Sequence, residues 1–163
     1  MKYSYDLRMT AKKTYIRDKR SPKPSNDTVS KVMSANRAQG TKPELLLRRL
    51  LWKSGLRGYR KNVKGLPGKP DICFTKTKLS IFINGCFWHR CPHCNLPLPK
   101  SNQQFWKDKF EANVNRDLNK QNMLKELGWQ TLTIWECELK NNNVSFLIDN
   151  IQNIISSNGN KKS

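Results

Sequence analysis

The chain is short of acid. Its 163 residues hold twelve Asp and Glu against thirty-one Lys and Arg, a formal net charge of +19. Each cation that meets a phosphate releases condensed counterions, so such a chain favours nucleic acid as a partner before any base is read. Long apolar runs are missing too: no stretch approaches the ~20 residues of a membrane span. The N-terminus lacks the apolar core of a signal peptide, and no internal repeat is present. The expected setting is cytoplasmic, where thiols stay reduced, so the five cysteines point to metal ligation rather than to disulfides. A basic protein of ribosomal type would satisfy the charge alone, and the motifs must decide.

They concentrate in Gly85-Cys86-Phe87-Trp88-His89-Arg90-Cys91-Pro92-His93-Cys94, which follows the apolar run Leu79-Ser80-Ile81-Phe82-Ile83. A strand end here delivers soft metal ligands, a titratable base and stacking surfaces to one place. Cys86-x4-Cys91-x2-Cys94 supplies three thiolates and Cys137 a fourth, a set suited to a tetrahedral structural Zn2+. The spacing leaves open whether Cys91 or His93 completes that set. Pro92, Pro97 and Pro99 bar regular structure from 85–101, so a metal is the natural ordering agent. Cys73, inside Asp71-Ile72-Cys73-Phe74, reads as a small core residue.

Pro70-Asp71, at a strand start after a Gly-containing loop, has the layout of a nuclease Mg2+ site, where one carboxylate holds the cation near the scissile phosphate. A turn-forming aspartate would look the same in isolation. The usual partner, an acid-x-Lys triplet on the next strand, is absent from Ile81-Phe82-Ile83-Asn84. Another group must compensate, and His89 is the candidate, since imidazole can take a proton from water at neutral pH. Phe87 and Trp88 read as a wedge for a base stack, and Trp106 divides evenly between core and stacking roles.

Residues 1–26 hold eight Lys/Arg against two Asp and read as a mobile basic arm adding non-specific affinity. A domain over 27–157 and a disordered tail over 158–163 follow. The expected order is a helix to about Ala38 and a helix from the cap Thr41 to Gly55, with Glu44 completing a capping box. Strands follow near Tyr59–Val63, 70–74 and Leu79–Asn84. A helix over Gln103–Leu127 with an apolar face at Phe110, Val114, Leu118, Leu124 and Leu127 leads to a buried strand Trp129–Trp135 and a final helix over 143–156, with Phe146 among its apolar residues. This is an α/β mixed sheet flanked by helices.

Leu66-Pro67-Gly68-Lys69-Pro70-Asp71, Gly85-Cys86-Phe87-Trp88-His89, Asn113-x-x-Arg116-Asp117, Leu127-Gly128-Trp129 and Trp135-Glu136-Cys137 together resemble the very short patch repair (Vsr) endonucleases, in order from about Ser30 to Leu139. The resemblance implies a variant of the restriction-endonuclease fold with a structural zinc. It also implies a Mg2+-dependent nick 5′ of the thymine in T:G mismatches of double-stranded DNA, with other mismatch-repair proteins as further partners. By position, Asp71 is then the Mg2+ ligand, Ile83 a ligand through its backbone carbonyl, and His89 the general base. Asp117 and Glu44 order water or support a histidine. Phe87, Trp88 and Trp106 intercalate, and Lys69 and Arg116 contact DNA. Cys86, Cys91, Cys94 and Cys137 hold Zn2+, Cys91 taking a place that can be histidine. Asn84 stands where the family pattern has a histidine near the metal waters, and the long basic arm has no counterpart. Two other readings stand beside this one. The first is a restriction-type endonuclease acting on unmismatched sites, and the second a zinc-knuckle DNA-binding module without catalysis, for which an acid beside a base would have no use.

Overall fold

The computed structural model describes Pro22 and residues 26–35, 39–140 and 144–160. Most of the basic arm and residues 161–163 therefore lie outside the described residues. The chain divides between Asn36 and Arg37. In the N-terminal unit, Asp27–Ser34 forms α1, with Asp27 in its first turn where the helix dipole favours an acid.

The second unit is built on four strands: β1 (Arg60–Lys61), β2 (Ile72–Phe74), β3 (Leu79–Asn84) and β4 (Gln130–Trp135). They lie in the order β1-β2-β3-β4, with β2 antiparallel to both β1 and β3 and β4 parallel to β3. The antiparallel pair turns through Thr75–Lys78, where Lys78 takes a left-handed φ of 50°. The parallel pair needs a crossover, which the loop 85–102 and the 24-residue helix α3 (Gln103–Glu126) provide. β3 lies between two strands and Leu79, Ser80 and Ile81 are fully buried, which is why its sequence reads as an apolar run rather than an alternation. The buried Ser80 hydroxyl donates to the Gln130 carbonyl at 3.1 Å, so the core keeps no orphan there.

Helix α2 (Lys42–Lys53) begins as its sequence predicts: the Thr41 side chain accepts from the Glu44 N–H, and the Glu44 carboxylate returns to the Thr41 N–H. Leu47 and Leu51 are fully buried, and Leu46 and Leu50 pack around them. They join Ile72, Phe74, Leu79, Ile81, Ile134, Leu139, Leu147, Ile148 and Ile151 in one core. Each such side chain contributes about 1.5–3 kcal/mol by leaving water. Helix α5 (Val144–Asn160) supplies the last three and runs three residues into the stretch expected to be disordered. Its Asn158 amide donates to the Thr77 carbonyl and the Gln130 side chain, which fastens its end.

Four expectations are corrected. The strand near Tyr59–Val63 shrinks to two residues. β4 is half-buried, with only Ile134 enclosed, because it is an edge of the sheet. The buried face of α3 runs through Trp106, Phe110, Asn113 and Leu124, while Val114, Leu118 and Leu127 are exposed. Successive i+4 steps drift around a helix, and contact with the sheet selects a spacing nearer 3.5 residues. Phe146, counted with the apolar residues of α5, is 69% exposed. A short helix α4 (Glu136–Lys140), begun by the Glu138 carboxylate accepting from the Trp135 N–H, was not anticipated.

Candidate active site and metal centre

Two groups of candidate functional side chains lie around the end of β3 and the turn that follows it. The first is made of sulfur. The Sγ atoms of Cys86, Cys91, Cys94 and Cys137 all lie within 4.8 Å of one another, with Cys91 and Cys137 3.7 Å apart. A tetrahedron with Zn–S bonds near 2.3 Å has S···S edges of about 3.8 Å, so the four thiols fit zinc in number, chemistry and spacing. The turn is wound to deliver them: His89 N–H donates to the Gly85 carbonyl and Cys91 N–H to the Cys86 carbonyl, and Arg90 bends the chain at a left-handed φ of 54°. Burial raises the Cys86 and Cys137 thiols. Burial also acts upward on Cys91, but the backbone N–H of His93 and neighbouring thiols outweigh it and hold Cys91 low. His93 is exposed and stands outside the sulfur set, so its backbone rather than its imidazole serves the cluster. Cys73 is fully buried in β2 and its thiol is pushed up to about 11 by burial and by Asp71, the behaviour of an inert core residue.

The second group is made of oxygen and nitrogen. Asp71 sits just before β2, and its Oδ2 accepts from the Ile83 N–H at 2.8 Å across the antiparallel pair. Burial raises its carboxyl to about 6; the Ile83 bond opposes this, the charge of Glu44 reinforces it, and Arg48 and His89 oppose it more weakly. Glu44 is itself buried, ion-paired to Arg48 at 2.9 Å and bonded to the Gly40 N–H at 3.0 Å. A sheltered carboxylate whose charge burial and the neighbouring Glu44 both disfavour is a fit for a divalent cation. His89 Nδ1 is hydrogen-bonded to Asp117 Oδ2, which fixes the ring and leaves Nε2 free to work. Asn84 is buried at the end of β3 and lines a shallow pocket with Phe82, Asp117, Lys120 and Gln121.

The aromatic side chains form one cluster beside these groups. Phe87 meets Trp88, Trp106 and Phe110 edge-on at 5.2, 5.6 and 5.1 Å. Trp106 and Phe110 are buried, whereas Phe87 and Trp88 are half-buried. The Trp88 carbonyl is held by the Asn113 side-chain amide at 2.9 Å. Lys69 is exposed with a left-handed φ of 52°, and Arg116 is exposed on α3. Sequence reasoning missed Arg48 and Lys120, and gave Asn113 no role beyond its place in a motif. Arg48 was signalled by its place four residues after Glu44 on a helix; Lys120 is an ordinary residue that only the packing of α3 singles out.

Comparison with known proteins gives a consistent picture. The family model described as DNA mismatch endonuclease Vsr matches residues 23–96. The Type II nicking enzyme V.NaeI of Lentzea aerocolonigenes is 41% identical over 138 residues, 82% of this chain and 82% of that protein. The Type II nicking enzyme V.NmeAIP of Neisseria meningitidis is 45% identical over 112 residues, covering 68% of this chain and 78% of its own. The DNA mismatch endonuclease Vsr of Escherichia coli K12 is 40% identical over 114 residues, covering 69% and 72%.

Proposed function

Because the chain belongs to the Vsr family of DNA mismatch endonucleases, and so is a hydrolase of DNA phosphodiester bonds, we propose that it nicks one strand of duplex DNA. The nick falls 5′ of the thymine in a T:G mismatch, as a step of very short patch mismatch repair alongside other mismatch-repair proteins. The observation that supports this reading most is that the charges of Glu44 and His89 act on Asp71 while Asp117 holds the His89 ring, beside a mixed sheet. We read that sheet as the core of a restriction-endonuclease fold.

In this mechanism Asp71, with the Ile83 carbonyl, would hold Mg2+, and the metal when bound would supply a positive charge beside the scissile phosphate. Glu44 orders water near Asp71, and Asn84 closes the pocket as a neutral hydrogen-bonding side chain. His89 Nε2 takes a proton from a water molecule whose oxygen attacks phosphorus, while Asp117 stabilises the imidazolium that results. The bond from phosphorus to the far oxygen breaks, and that oxygen takes a proton from solvent. Phosphodiester and water thus become a phosphate monoester and an alcohol. Zn2+ on Cys86, Cys91, Cys94 and Cys137 would fix the turn that carries His89, three residues after Cys86. Phe87 and Trp88, backed by Trp106, enter the stack at the mismatch, and Lys69 and Arg116 contact the phosphate backbone.

Incubation with Mg2+ and two labelled duplexes, one with a T:G mismatch and one with its T:A match, tests the proposal. Nicking confined to the mismatched duplex is expected. The second reading, cleavage at intact sites, is favoured by relatives that are named Type II nicking enzymes, and equal cleavage of both duplexes would establish it.

A further inference from the structure

One cation of the site has no part in this mechanism. Lys120, on α3, places its Nζ 3.8 Å from Asp117 Oδ1, while the other oxygen of Asp117 serves His89. That separation is longer than a hydrogen bond, so Asp117 does not consume the ammonium donors. The side chain is 30% exposed and lines the pocket with Phe82, Asn84, Asp117 and Gln121. Its stem does not wander. Gly68 takes a left-handed φ of +74°, and a Cβ there would fall 2.7 Å from Lys120 Cδ and 3.1 Å from both Cβ and Cγ. The Lys120 stem therefore occupies the space that Gly68 leaves empty, against the turn that leads through Pro70 to Asp71.

We propose that Lys120 contacts the scissile phosphate and stabilises the negative charge that gathers on its non-bridging oxygens as water attacks. β3 offers no lysine for this task, since Ile81-Phe82-Ile83-Asn84 is uncharged, and α3 supplies the ammonium from the opposite wall of the pocket. Gly68 and Asp117 hold the ammonium in place beforehand, so little reorganisation is needed when charge develops. The inference rests on the assignment of His89 and Asp117 to the hydrolytic site.

A binding cycle tests it. The His89→Ala protein, with and without Lys120→Gln, is titrated with a mismatched duplex carrying either an ordinary phosphate or a neutral methylphosphonate at the cleaved position. With Lys120 present, the methylphosphonate should weaken binding about 5- to 10-fold; with Lys120→Gln it should cost little more. Equal losses in both proteins would overturn the contact. In the His89-containing protein, Lys120→Gln should slow single-turnover nicking roughly 10- to 100-fold with the pH profile unmoved. A displaced pH profile would instead show that Lys120 acts through Asp117 and His89, and would overturn the proposal. The background separates the two layers of inference: wild-type nicking by His89→Ala would remove the active-site reading itself, whereas a silent His89→Ala with an additive cycle removes Lys120 alone.

Discussion

The sulfur centre and the carboxylate site share one turn, yet they relate to stability in opposite ways. The four thiols come from one loop and α4 and are packed to the spacing of a metal tetrahedron, in a stretch whose prolines give it little other order. The proposed hydrolytic groups come from α2, the approach to β2, the end of β3, the turn after it and α3, and the charge of Glu44 adds to the cost of ionising Asp71. The proposed zinc centre is a fastening, whereas the carboxylate site carries a cost that a cation or a substrate can relieve.

The largest effect separating the two is on chemistry. Asp71→Ala should reduce Mg2+-dependent nicking below detection while mismatched-duplex binding stays within a few-fold, and His89→Ala should slow nicking by roughly 10²–10⁴-fold. Single-turnover assays read both, and near-normal rates in either variant would reassign the site. Cys137→Ala should act on the fold instead. Elemental analysis should find the zinc gone, and thermal unfolding should show a loss of about 3–5 kcal/mol, roughly 10 °C for a chain of this size. An unchanged melting temperature would mean that the thiols do not fasten the loop.

The comparison sharpens where its sign reverses. Asp71 ionises at about 6 in the fold against 3.8 for an unperturbed aspartate, so the folded protein holds that proton more tightly than the unfolded chain. Its contribution to stability is complete below about pH 4 and is lost as pH rises through 6. Asp71→Asn should therefore stabilise the metal-free protein above pH 6 by about 1–3 kcal/mol, with the gain vanishing toward pH 4. Denaturant titrations at pH 4 and pH 7.5 would show it, and a destabilised Asp71→Asn protein at pH 7.5 would contradict the burial cost. The smallest effect belongs to the aromatic cluster to which Phe87 and Trp88 of the shared turn belong. Trp88→Ala should lower the preference for T:G over T:A duplexes about 3- to 10-fold while matched-duplex affinity changes less. Equal losses on both would show that Trp88 only packs against Phe87 and Trp106.

What the sequence disclosed follows the same division. Cys86, Cys91 and Cys94 are close in the chain, so the sulfur cluster was legible from spacing, but the choice between Cys91 and His93 was not. The tight turn aims the Cys91 sulfur at Cys137, and no sequence pattern encodes that direction. β3 matched its expected bounds of Leu79–Asn84 because two flanking strands and both faces demand apolar residues. The α3 face was misjudged because Val114 and Leu118 are apolar yet exposed, while polar Asn113 turns inward to hold the Trp88 carbonyl. Apolar spacing shows that a helix has a buried side, and a buried amide with a specific partner can shift which side it is.

The crossover between β3 and β4 has a further consequence, for timing. His89 and Asp117 both lie within the segment that joins these parallel strands. Parallel neighbours close slowly, because the entropy of gathering in their long connection is lost before the contacts repay it. The proposed base, His89, and its partner Asp117 thus belong to the segment that this closure gathers in, whereas the positive charge of the chain needs no closure. Affinity for a polyanion is written into the composition, whereas the proposed base depends on a long-range closure.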